Sequence, residues 1–75
     1  MSQAFLLISC DLGKEGKVVK ELEAIDDVKE VQQTTGVFDI IAKIESDSDK
    51  KLKETVSSKI RNIDPVRSVL ILEAD

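Results

Sequence analysis

Three segments of this chain carry large aliphatic residues at odd and even positions alike: AFLLISCDL from Ala4 to Leu12, VFDIIAKIE from Val37 to Glu45, and VRSVLILEA from Val66 to Ala74. A strand that is apolar on one parity needs one cover, whereas a strand apolar on both parities needs two. In 75 residues, the stretches between these runs hold material for two helices, enough to cover one face of a sheet. That mismatch between apolar faces and available covers bounds what the chain can fold into.

The first run is short and ends at Gly13, which favours a strand over a helix. After Gly16, KVVKELEAI (17–25) places Val18, Leu22 and Ile25 at i, i+4 and i+7, with Lys17, Lys20, Glu21 and Glu23 left for water. This predicts an amphipathic helix. Asp26 and Asp27 break the pattern, and VKEVQQTT (28–35) reads as a polar edge strand closed by a turn near Thr35 and Gly36. Val37 to Glu45 suits a central strand in spite of Asp39 and Lys43. Ser46, Asp47, Ser48 and Asp49 are N-cap candidates for a second helix, in which Leu52, Val56, Ile60 and Ile63 recur at helical spacing. Pro65 ends it, and Val66 to Ala74 forms the last strand.

The order β-α-β-β-α-β predicts an α+β, ferredoxin-like fold. Right-handed crossovers put both helices on one face of a four-stranded antiparallel sheet, with strands one and three central. Residues 1–75 form one domain, with no linker or low-complexity tract. Sorting the strands by parity assigns Leu6, Ile8, Cys10, Phe38, Ile40, Ala42, Ile44, Val66, Leu70 and Leu72 to the helix-covered face. The other face then carries Phe5, Leu7, Val37, Ile41, Val69 and Ile71, mixed with Ser9, Asp39, Lys43 and Arg67. Left in water, that set would approach or exceed the patches of about 300–600 Å² that monomers tolerate. Self-association through this open face is therefore expected, these six side chains forming the dimer interface.

Composition narrows the chemistry. The chain has no His and one Cys, so zinc, haem and iron–sulfur sets cannot be assembled from it, and only carboxylates remain for a hard cation. Histidine bases and Ser-His or Cys-His nucleophile pairs are excluded as well. No cofactor is expected, and a binding role is favoured over catalysis. Eleven Lys and Arg against fifteen Asp and Glu, with no Trp or Tyr, argue against direct nucleic-acid binding. No apolar run approaches the length that crosses a bilayer, so a cytoplasmic location is expected. Cys10 reads as a buried small hydrophobe, because an apolar strand offers nothing to stabilise a thiolate. The Gly13-Lys14-Glu15-Gly16 loop has neither the glycine spacing nor the Ser or Thr of a phosphate-binding loop. An RNA-binding GXXG loop belongs in a basic domain of a different element order.

The element order, the stretch TTGVFDIIAKI from Thr34 to Ile44 and the closing PVRSVLILE together resemble the effector-binding (RAM) domain of the Lrp/AsnC family of transcription regulators, over almost the whole chain. The most specific part is a Thr-Gly-x-aromatic-Asp signature, met by Thr35, Gly36, Phe38 and Asp39. Family members carry an N-terminal helix-turn-helix domain, whereas this sequence begins at strand one, so the resemblance implies a stand-alone RAM protein. It further implies homo-oligomers, dimers packed through open sheet faces and assembled further into rings such as tetramers of dimers. Small effectors, usually amino acids, would bind between dimers, and full-length Lrp/AsnC-type regulators would be partners.

Carried over by position, Gly36 would let the backbone approach the ligand. Asp39 would receive an α-ammonium, and Thr35 would meet a carboxylate. Phe38 stands where the family often has Tyr, and of the family's paired Thr or Ser residues in the last strand only Ser68 is present. Structural roles compete with each assignment: Gly36 serves any tight turn, and Asp39 would be explained by an ion pair with Lys43 or Arg67. Two other classes share the element order. One is an ACT-like amino-acid-binding module, which pairs through sheet edges; the other is a small dimeric α/β-barrel enzyme, whose sites usually need a His, Tyr or Trp.

Overall fold

The computed structural model describes residues 2–74. β1 (Ser2–Cys10) and β3 (Ile40–Ser46) lie antiparallel at the centre of the sheet, and their inward positions from Ala4 to Cys10 and from Ile40 to Ile44 are all apolar and buried. β2 (Val28–Gln33) and β4 (Val66–Ala74) flank them, giving the order β2-β3-β1-β4. The helices α1 (Glu15–Glu23) and α2 (Asp49–Thr55) complete the expected β-α-β-β-α-β succession. The ferredoxin-like α+β class, with strands one and three central, is the observed architecture.

The core lies between one sheet face and the helices. Ala4, Leu6, Ile8 and Cys10 of β1 and Ile40, Ala42 and Ile44 of β3 are buried against Val18 and Leu22 of α1 and Leu52 of α2. Val56 and Ile60 extend the same stripe through a π-helical turn, Val56–Ile60, that continues α2. In a regular α-helix, two successive four-residue steps advance about 80° around the axis, which would carry Ile60 off the line of Leu52. The wider π turn, marked by the Arg61 N–H donating to the Val56 carbonyl at 2.9 Å, takes that rotation back. Ser48 is the N-cap actually used: its hydroxyl accepts from the Lys51 N–H at 3.1 Å.

Asp27 ties the layers together. Its Oδ2 accepts from the hydroxyls of Ser46 and Thr55, both at 3.2 Å, and its carbonyl accepts from the Glu45 N–H at 2.9 Å. Ser46 and Thr55 are buried, so this one carboxylate satisfies two hydroxyls that packing has removed from water.

Two expectations need correction. The middle strands are shorter than their apolar content implies: Thr34 and Thr35 lie outside β2, and Val37, Phe38 and Asp39 lie outside β3. Residues 34–39 form a loop closed by the Thr34 N–H on the Asp39 carbonyl (2.9 Å) and the Thr34 hydroxyl on the Phe38 carbonyl (2.6 Å). Val37 is thus 87% exposed on a loop and not on the sheet face.

In β4 the faces are the reverse of the parity reading. Val69 is buried and Ile71 packs against the core, whereas Leu70 and Leu72 are each 48% exposed. A bulge is the cause. Cys10 pairs with Val66 and Ser9 with Ser68, which leaves Arg67 as an extra residue and inverts the alternation after Val66. The open face therefore carries Phe5, Leu7, Ile41, Leu70 and Leu72, with Phe5 opposite Leu72 and Leu7 opposite both Leu70 and Ile41.

Candidate functional site

The site begins where β1 runs out of partners. β3 starts at Ile40, opposite Ile8, so the backbone N–H of Cys10 extends past the end of that ladder. Asp39 supplies the missing acceptor: its Oδ2 takes the Cys10 N–H at 2.9 Å, while its own N–H donates to the Ile8 carbonyl at 2.9 Å. The ion pair with Lys43 or Arg67 that the sequence offers for Asp39 is not what holds it. Arg67 faces Asp11 instead, with Nε 3.8 Å from the Asp11 carboxylate.

On the other side of β1, the bulge at Arg67 opens the sheet between Val66 and Ser68. Bulges re-aim side chains at the ends of sheets. Between the two irregularities lies a shallow depression of about 500 Å³, lined by Ser9, Cys10, Val37, Asp39, Arg67 and Ser68. An acid, a guanidinium and two hydroxyls thus share a notch with an aliphatic wall, a set that suits a small amphoteric molecule.

Of the sequence candidates for effector contact, Asp39 and Ser68 are brought together here. Thr35, Gly36 and Phe38 do not line the notch and belong to the loop beside it. Gly36 has φ +130°, a conformation that side chains other than glycine's rarely adopt, and nothing lies within 4 Å of where a Cβ would project. Its glycine is thus required by the backbone and not by a close neighbour. Ser9 and Arg67 are lining residues absent from the sequence candidates. Their signal is a polar side chain on an otherwise aliphatic strand, the same signal that singles out Asp39.

Cys10 forms part of the notch floor but is itself buried. Burial, and then the carboxylates of Asp39, Glu15 and Asp11, push its thiol pKa up, so it is a protonated small hydrophobe, as expected. Among the described residues no group of His, Cys, Asp and Glu is arranged to hold a metal ion. Nor is any helix among them long and apolar enough to cross a membrane.

Comparison with known proteins places this geometry. No curated protein matches the chain. The structure of FFRP-DM1 superposes with a TM-score of 0.97 at 33% identity, covering 100% of both chains. Escherichia coli AsnC gives 0.92 at 27% identity over 97% of this chain, and a Neisseria meningitidis transcriptional regulator, solved as its L-Met complex, gives 0.88 at 14% over 99%. The chain spans 50% and 49% of those two proteins, and the second likeness is one of fold. The family model for the Lrp/AsnC ligand binding domain matches residues 3–72, and with that coverage the chain belongs to this family.

Proposed function

We propose that this chain is a non-enzymatic regulatory domain. In this reading it self-associates through its open sheet face, binds an amino acid or similar small effector between dimers, and modulates transcription through partner regulators in the cytoplasm. The observation that carries the reading is the pairing of an uncovered apolar face with a polar notch at the end of the same sheet. Phe5, Leu7, Ile41, Leu70 and Leu72 are too apolar a set to leave in water, and a second copy is the cover that needs no other partner.

Family membership supports a ligand-binding regulatory role. The L-Met complex of the Neisseria relative supports an amino acid as the effector class. Asp39 receives the effector's ammonium through Oδ1, since Oδ2 is held by the Cys10 N–H. Thr35, Gly36 and Phe38 shape the adjoining loop, and Ser68 offers a hydroxyl. The space between sheet and helices is filled by fully buried aliphatics, which favours binding at the sheet end over a barrel-type enzyme cavity.

Isothermal calorimetry of the full chain against each standard amino acid tests this. At least one should bind, and Asp39→Asn, which keeps an acceptor for the Cys10 N–H but loses the charge, should weaken it. Silence from the whole set refutes the effector reading.

A further inference from the structure

Among the described residues Arg67 is the sole cation lining the notch, and it is also the residue that the bulge inserts into β4. Its ion pair, among the described residues, is with Asp11, and it is a poor one. Only Nε is engaged, at 3.8 Å, beyond hydrogen-bond range, and the two side chains are 71% and 57% exposed. A guanidinium gains most from a carboxylate that meets it through two parallel N–H bonds, and Asp11 does not do so. The backbone of Asp11 is nevertheless fixed: its N–H donates to the Pro65 carbonyl and its own carbonyl accepts from the Lys14 N–H, both at 3.0 Å. The carboxylate is thereby kept near Arg67 without being seated on it.

Resting on the effector-binding reading of the notch, we infer that Arg67 is the receptor for a ligand carboxylate and that Asp11 is its built-in competitor. The family resemblance implies carboxylate contact at Thr35, which does not line the notch, whereas Arg67 does and is charged. An incoming carboxylate takes the bidentate geometry that Asp11 leaves unused and displaces Asp11 into water. Asp39 stands in the same notch, so a ligand with a cationic group beside its carboxylate is favoured. A second carboxylate on the ligand would face Asp39 or Asp11 and is disfavoured. The ligand class is therefore a small monocarboxylate bearing a positive charge, and Asp11 sets the concentration at which it is captured.

Sodium acetate, a carboxylate with no ammonium, is the probe that isolates this step. Titrated into the ¹⁵N-labelled full chain, with sodium chloride as the ionic-strength control, it should shift the Ser9 and Ser68 amides saturably. Asp11→Asn leaves both backbone bonds of residue 11 in place and should tighten acetate about two- to fivefold, the range that loss of an exposed ion pair allows. Arg67→Gln should weaken it about tenfold or more. Both positions are exposed, and matching amide spectra outside the notch verify the fold. Equal acetate affinity in wild type and Arg67→Gln, or no tightening in Asp11→Asn, overturns the inference even where calorimetry finds an amino acid. Conversely, Arg67-dependent acetate binding with no response to any amino acid upholds this inference while refuting the amino-acid reading.

Discussion

Leu70 and Val69 are neighbours in sequence with opposite fates, and substitutions at the two positions should separate the proposed self-association from folding. Leu70 is 48% exposed and stands opposite Leu7 on the open face; Val69 is 7% exposed and stands opposite Ile8 in the core. Fully burying a leucine contributes about 1.5–3 kcal/mol, so covering the exposed half contributes about 0.7–1.5 kcal/mol. A two-fold dimer counts each position twice, giving about 1.5–3 kcal/mol for the pair. Leu70→Asp removes that and sets two carboxylates in the interface, so the dimer dissociation constant should rise at least about ten- to a hundredfold. The protomer should stay folded. Val69→Ala instead deletes buried methyl groups and leaves a cavity, a loss of about 2 kcal/mol of stability. In a domain of this size that lowers the midpoint of thermal unfolding by roughly 8 °C or more. Sedimentation equilibrium over a dilution series reads the first effect, and thermal melts at one fixed protein concentration read the second. If Leu70→Asp unfolds the chain while Val69→Ala merely dissociates it, the face assignment that follows from the Arg67 bulge is wrong. If wild type is a folded monomer at every concentration, the open-face dimer is wrong.

Alkylation by iodoacetamide should be much slower at Cys10 in the native chain than in urea, because burial and then the Asp39, Glu15 and Asp11 carboxylates raise its pKa. With the folded value above the unfolded one, the stability linked to this thiol is fully present below the unfolded pKa and lost as pH rises through the folded pKa, so urea midpoints should fall on the alkaline side. Asp27→Ala should cost about 1–3 kcal/mol in urea unfolding, since it strands the buried Ser46 and Thr55 hydroxyls, and Asp27→Asn, which keeps an acceptor, should cost less. Deleting Arg67 should regularise the ladder and leave Val69 inward and Leu70 outward, so self-association survives by sedimentation while acetate binding is lost; a folded deletion variant that no longer associates contradicts this.

Periodicity made the elements legible where one face meets the core. Val18 and Leu22, and Leu52, Val56 and Ile60, lie on the buried stripes that their spacing predicts. Asp39 and Ser68, which the family resemblance put forward as effector contacts, line one depression in the structure. The bulge was not readable. VRSV looks like ordinary alternation, and no glycine or proline between Val66 and Val69 marks an inserted residue, so every assignment beyond Arg67 moved to the wrong face. The length of β3 was misread for a different reason. Val37 and Phe38 have strand composition, but the Asp39 carboxylate takes the Cys10 N–H in place of a backbone partner and ends the ladder there. Both failures are long-range events between β1 and its neighbours, which local pattern does not encode.

Those same two events build the candidate site. With an unbroken ladder on both sides, the end of β1 would have its N–H groups paired to backbone carbonyls, and Asp39 would have no donor to hold it beside Cys10. Without an extra residue in β4, the chain could present Ser68 opposite Ser9 but would have no guanidinium between Val66 and Ser68 to set against Asp39. The bulge leaves Ser68, Leu70 and Leu72 outward with Ser9, Leu7 and Phe5, so one surface runs from hydroxyls at the sheet end to aliphatics at its centre. On the proposed reading, a copy packed on the aliphatic part would fix the position of the polar part, and effector binding at the notch and assembly through the face would share strands β1 and β4. Linkage between them then requires only that an effector prefer one assembled state over another, and its differential affinity sets the size of the shift.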